Sequence, residues 1–268
     1  MTHRLSVAHL SAITLPPPEF IETAAAAGFD GVGLRLQRVT EDSPSYPLMH
    51  DPALMRATLT ALRQTGLAVR DIEFVKITPE IDIAALAPLL DVGAELGASQ
   101  LITAPYDDDL SRLADRLAAL SDLARSRGIG VVLEFFPWTV VPDPAACWRV
   151  VQAAGEGVGM LVDSLHFDRS GSDLALLRQI PAGRLPFAHL CDAPRLPAYD
   201  TETLLMTARA ERLPPGEGQI DLQAFVSALP KNIDLSLEVP MTRRLMAEGG
   251  AAVLRHIHAA ARAFLDAR

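Results

Sequence analysis

The sequence predicts an α/β protein, a single (β/α)8 TIM barrel over residues 1–268, and three observations predict it. Short β-rich runs alternate with longer amphipathic segments along the whole chain. There are eight such runs, and 268 residues is a length that eight β/α units fill. The main competing architecture, a doubly wound open sheet, usually carries a glycine-rich phosphate loop after its first strand, and "SAITLPPPEF" has none.

The elements follow in order. "LSVAHLSAI" (5–13) reads as the first strand; the basic start and apolar stretch before residue 15 resemble an export signal, but His9 and two serines interrupt them. The amphipathic "PEFIETAAAAG" (18–28) precedes the second strand, "GVGLRL" (31–36). The third strand is "LAVRDIEFVKI" (67–77), followed by the helical "ALAPLLDVGAELG" (85–97) and the fourth strand "QLITAPY" (100–106). In "LSRLADRLAALSDLARSRG" (110–128) apolar residues recur at intervals of three and four, and a glycine closes the segment. The run Asp107, Asp108 and Asp109 before it suits a helix N-terminus, where negative charge is favourable. The last four strands are "IGVVLEFFPW" (129–138), "VGMLVDSLHF" (158–167), "PFAHLCDAP" (186–194) and "IDLSLEVP" (233–240), and 249–268 forms the final helix. The longest irregular stretches, 38–52 and 194–219, follow strands and can cover a site; Tyr46 and His50 are candidate lid residues.

Composition narrows the function. Nearly half the residues are hydrophobic, enough for a sizeable core. A net charge of −9 with no basic run argues against nucleic acid as a partner. No apolar run reaches membrane-spanning length, so no membrane partner is expected. Cys147 and Cys191 are the two cysteines; they suit a reducing compartment, and the expected location is cytoplasmic.

Chemistry in such a barrel sits at the C-terminal strand ends. Glu134 ends an otherwise fully apolar run, and a lone buried carboxylate needs a cation or hydrogen-bond partners. Asp163, His189 and Glu238 occupy equivalent positions on the next three strands. One such residue alone is an ordinary cap, ion pair or core histidine. Four on consecutive strands predict a single divalent metal ion, Mn²⁺ or Mg²⁺ first, with Co²⁺ or Zn²⁺ also compatible. His166 lies three residues after Asp163 and Arg195 six after His189; both are expected to point over the metal and hold a substrate oxygen. Asp192 is read as orienting a neighbour. Alternation should turn Cys191 away from the metal. Phe135, Phe136 and Trp138 are read as core or pocket wall, and His9, Arg35 and Glu73 as either mouth-lining or structural.

The order Glu, Asp-x-x-His, His-x5-Arg, Glu over the last four strands resembles the xylose-isomerase-like TIM barrel superfamily, as does "PPGEGQIDL" (214–222). That group contains ketose 3-epimerases, sugar-phosphate isomerases, inosose dehydratases, 3-dehydroshikimate dehydratases and the endonuclease IV nucleases. The resemblance implies that Glu134, Asp163, His189 and Glu238 bind the metal and that His166 and Arg195 contact substrate. It also implies that Glu134 and Glu238 act as acid and base on opposite faces of the substrate. Two departures matter. Ketose 3-epimerases carry a further glutamate where this chain has Val140, and endonuclease IV uses several histidines from earlier strands, whereas strands two to four here end without one.

The expected activity is a metal-dependent isomerase or epimerase of a small sugar or keto-polyol, by proton transfer through a metal-stabilised enediolate. A hydride shift generally uses a two-metal site and a lysine, and no lysine lies near these strand ends. The alternatives are a dehydratase of a keto-polyol or dehydroshikimate-type substrate, which begins with the same proton abstraction, and a non-catalytic ligand-binding barrel. A homo-oligomer is compatible with the sequence.

Overall fold

The computed structural model describes residues 3–40 and 43–267. Eight parallel strands close on one another in chain order. They are β1 (Leu5–Val7), β2 (Gly31–Arg35), β3 (Ala68–Ile77), β4 (Gln100–Pro105), β5 (Gly130–Glu134), β6 (Val158–Asp163), β7 (Phe187–Leu190) and β8 (Asp234–Leu237). The last returns to the first through the pairs Leu5↔Leu235 and Val7↔Leu237, so the sheet has no free edge.

Helices start where the sequence supplies a cap. Asp51, Asp109, Asp143 and Asp200 accept backbone N–H bonds at the starts of Pro52–Thr65, Leu110–Arg125, Pro144–Ala153 and Thr201–Ala210. Of the acidic run at 107–109, Asp109 is that cap, and the fully buried Asp107 receives Nε and Nη2 of Arg112 at 2.7 and 2.6 Å. Gly28 ends Pro17–Ala27 with φ 98°, a left-handed conformation open to glycine at no steric cost.

Several strands end earlier than their apolar runs. β1 stops at Val7 and a 3-10 turn spans His9–Ala12; β5 stops at Glu134 and β7 at Leu190. The run 158–167 divides at Asp163, whose carboxylate accepts from Leu165 and His166 and begins the helix Ser164–Arg169. The irregular stretch 194–219 contains the capped helix Thr201–Ala210. In 38–52, Leu48–His50 forms a 3-10 turn, and residues 41 and 42 lie outside the described residues.

A large apolar layer packs between strands and helices. A second, smaller one fills the barrel interior: Ile102, Val132, Leu161 and Phe187, with Phe74 against them. Among the described residues no helix is long and apolar enough to cross a membrane.

Candidate metal centre

Strand alternation decides which side chains meet. Val132, Leu161 and Phe187 belong to the inner layer, so Glu134, Asp163 and His189, two residues further on, face the same interior nearer the mouth. Glu238 follows directly after β8. All four are buried, and one ligand atom from each lies within 4.8 Å of the others. His189 Nδ1 stands 3.7 Å from Asp163 Oδ2, 3.7 Å from Glu238 Oε2 and 3.9 Å from Glu134 Oε1.

These separations suit a shared ion. Two ligand atoms each ~2.1 Å from an octahedral cation lie about 3 to 4.2 Å apart. Glu134 Oε1 and both ring nitrogens of His189 are buried without a hydrogen-bond partner. Each such orphan costs about 1–3 kcal/mol, and a divalent cation would satisfy Glu134 Oε1 and His189 Nδ1 together. The cluster can therefore hold a divalent metal, and its hard, oxygen-rich donor set leaves several metals eligible.

Electrostatics distinguish the four. Burial works against charge on His189, yet the carboxylates of Glu238, Asp163 and Glu134 outweigh it and push the imidazole up to about 10. Burial raises Glu134 well above the usual carboxylate range, His189 offsetting only part of this. Glu238 is also raised by burial, against the pull of Arg212 and His189. For Asp163 burial is overcome, chiefly by the Arg212 guanidinium, and the carboxyl is held well below its ordinary value.

Arg212 is the functional neighbour that sequence reasoning missed. It is 3% exposed, and its Nη1 and Nη2 lie 2.6 Å from Asp163 Oδ2 and 2.6 Å from Glu238 Oε2. It arrives on the loop after Thr201–Ala210, which isolated bridges tie to the barrel: Glu211 to Met241 and Leu213 to Asp192. Asp192 orients neighbours, as read from the sequence. Its carboxylate accepts from the backbone of Ala193, Gly216 and Ile220 and so shapes the 214–220 turn. A Cβ at Gly218 would overlap that carboxylate, which is why a glycine stands there.

His166 is brought to the cluster, with Nε2 3.8 Å from Glu134 Oε1. Burial lowers it to about 3, so the imidazole is neutral, and its ring meets Phe136 and Trp138 edge to face. A cavity of about 270 Å³ opens above, lined by Glu134, His166, Arg212 and Glu238 on the polar side and by aromatic residues including Phe74 and Trp138. That size and mixture fit a small molecule.

Arg195 corrects the expectation that it points over the metal. Its side chain is 58% exposed, pairs with Asp168 Oδ1 at 3.0 Å and does not line this cavity. Asp168, on the Ser164–Arg169 helix, is largely buried and holds the Arg195 guanidinium away from the cluster. Arg35 and Glu73 do line the cavity, as a buried pair 3.0 Å apart. His9 is structural: Nδ1 accepts from the Arg35 N–H, Nε2 meets the Leu15 carbonyl, and burial lowers it to about 4. Tyr46 stacks on His9 and donates to the Ile13 carbonyl, whereas His50 is exposed. Cys191 is buried beside Ser164 and Arg212. Phe135 is core, Phe136 and Trp138 are wall, and Val140 is 39% exposed.

A family model described as xylose isomerase-like TIM barrel matches residues 21–259. The chain belongs to that family. Within it, an inosose isomerase of Bacillus velezensis is 33% identical over 119 residues, 43% of this chain and 40% of the relative. A 3-dehydroshikimate dehydratase of Pseudomonas putida is 29% identical over 228 residues, 79% of this chain and 34% of the relative. The chain thus spans less than half the length of either curated relative. In fold, a crystal structure of the IOLI protein with a zinc atom bound superposes with a TM-score of 0.77 at 20% identity, covering 98% of this chain and 96% of that one.

Proposed function

We propose that this family member is a divalent-metal-dependent enzyme that moves a proton at the carbon beside a carbonyl, isomerising or epimerising a small sugar or keto-polyol. The observation that carries the reading is Glu134. It stands in the four-residue cluster, lines the cavity and keeps one buried oxygen unpartnered. Glu134, Asp163, His189 and Glu238 would hold a divalent ion, which would supply Lewis-acid polarisation of the carbonyl. Glu134 takes the proton from the adjacent carbon, and Glu238, fixed by Arg212, faces it across the cluster as the partner acid–base group. His166, neutral and close to Glu134, donates a hydrogen bond to the substrate oxygen. The aromatic wall excludes water and packs the C–H face of the substrate.

A dehydratase is the second reading, favoured by the 79% of this chain that aligns with a 3-dehydroshikimate dehydratase. The first proton transfer is the same, and a β-hydroxyl then leaves as water. The partner in either case is a small polyhydroxylated carbonyl compound. Turnover of a keto-polyol panel in D₂O with Mn²⁺ tests both. Deuterium at the carbon beside the carbonyl is expected, in product or in returned substrate; an altered stereocentre or carbonyl position marks the isomerase, and loss of water marks the dehydratase. Turnover that carries the substrate's own hydrogen and admits no solvent label at any extent of reaction would overturn the proposal.

A further inference from the structure

We infer that Arg212 is the resident counter-cation of the metal centre. It pairs with both Asp163 and Glu238 when the ion is absent, and it completes charge balance when the ion is present. The second half rests on the metal reading above; the first does not.

Count and geometry carry the inference. Three carboxylates in the cluster exceed a divalent ion by one negative charge, and net charge buried in a protein is costly. Arg212 supplies the missing positive charge within the same buried shell. Its guanidinium makes two further contacts: Nε donates to the Ala208 carbonyl at 3.0 Å, and Nη1 lies 3.4 Å from Cys191 Sγ. Its backbone is anchored as well, the Arg212 N–H donating to the Pro240 carbonyl at 2.9 Å within the Glu211–Met241 bridge. A guanidinium fixed on this many sides does not leave when an ion enters. Each carboxylate oxygen it touches has a second lone pair to offer a metal. Glu134 has no such help, its nearest basic atoms being imidazole nitrogens at 3.8 and 3.9 Å. The arginine therefore divides the carboxylates into two that are held and one that is left to the ion and the substrate.

The test uses the whole chain and needs no substrate. Thermal unfolding is followed in chelator and in excess Mn²⁺ for wild type, Arg212→Met, Arg212→Lys and the triple variant Arg212→Met/Asp163→Asn/Glu238→Gln. In chelator, Arg212→Met should melt about 10 °C below wild type because it strands two buried carboxylates. Arg212→Lys should fall between them, and the triple variant should recover most of the loss because the stranded charge is gone. With Mn²⁺, Arg212→Met should gain more than wild type. If Arg212→Met does not fold while the triple variant does, the inference also holds. Equal melting of wild type and Arg212→Met in chelator, or a triple variant no better than Arg212→Met, overturns it, since the arginine would then serve packing. If the chelator pattern appears but no variant responds to Mn²⁺, the metal reading fails and the counter-cation stands.

Discussion

Loading a divalent ion into the cluster of Glu134, Asp163, His189 and Glu238 should expel protons. In the metal-free chain, burial opposes charge on His189 but its three carboxylate neighbours push it up to about 10, so it is an imidazolium at pH 7. An imidazolium nitrogen has no lone pair for a metal, so the proton must go first. Removing it at pH 7 costs about 4 kcal/mol, three pH units at ~1.4 kcal/mol each. Glu134, raised well above its ordinary value by burial, adds a second proton wherever it is still protonated. Mn²⁺ affinity should therefore rise about tenfold per pH unit between pH 6.5 and 9, and more steeply if Glu134 contributes. Calorimetric titration with Mn²⁺ in buffers of different ionisation enthalpy counts the protons directly. An affinity flat over that range, with no buffer-dependent heat, would refute the argument.

The same imidazole contributes to the pH dependence of the metal-free fold. Its pKa is raised on folding, so the stability it contributes is full below about 6.5 and is lost as pH rises towards 10; melting in chelator should fall over that window. Asp192→Ala removes the acceptor of three backbone N–H groups and should cost about 3–5 kcal/mol by chemical denaturation. Asp192→Asn keeps the oxygen that serves Ala193 and Ile220 and should cost less than half of that. His166→Ala should lower kcat/KM at least about tenfold with Mn²⁺ affinity largely retained. Arg195→Ala, which breaks an exposed pair, should change stability by less than about 1 kcal/mol on the same denaturation assay.

The convergence of the four cluster residues was legible because a strand repeats every two residues. Val132 to Glu134, Leu161 to Asp163 and Phe187 to His189 are steps along one inward face, and the apolar member of each marks the side of the polar one. The strand ends were less legible, because hydrophobicity continues past the last ladder bond. "DSLHF" reads as strand until Asp163 is seen to cap the helix that carries His166. Arg212 left no periodic trace at all. Its place depends on bridges from Glu211 to Met241 and from Leu213 to Asp192, pairings between segments distant in sequence. The spacing from His189 drew attention to Arg195 instead, and Asp168 holds that side chain outside.

Asp163 does two jobs with one carboxylate. Oδ1 accepts the N–H groups of Leu165 and His166, while Oδ2 faces Arg212 and His189. A carboxylate is rigid and planar, so the two oxygens move as the ends of a seesaw. Anything that displaced Oδ2 would move Oδ1 and with it the first turn of the helix, and His166 rides on that turn. The position of His166 over the cavity is thus tied through one carboxylate to the guanidinium of Arg212.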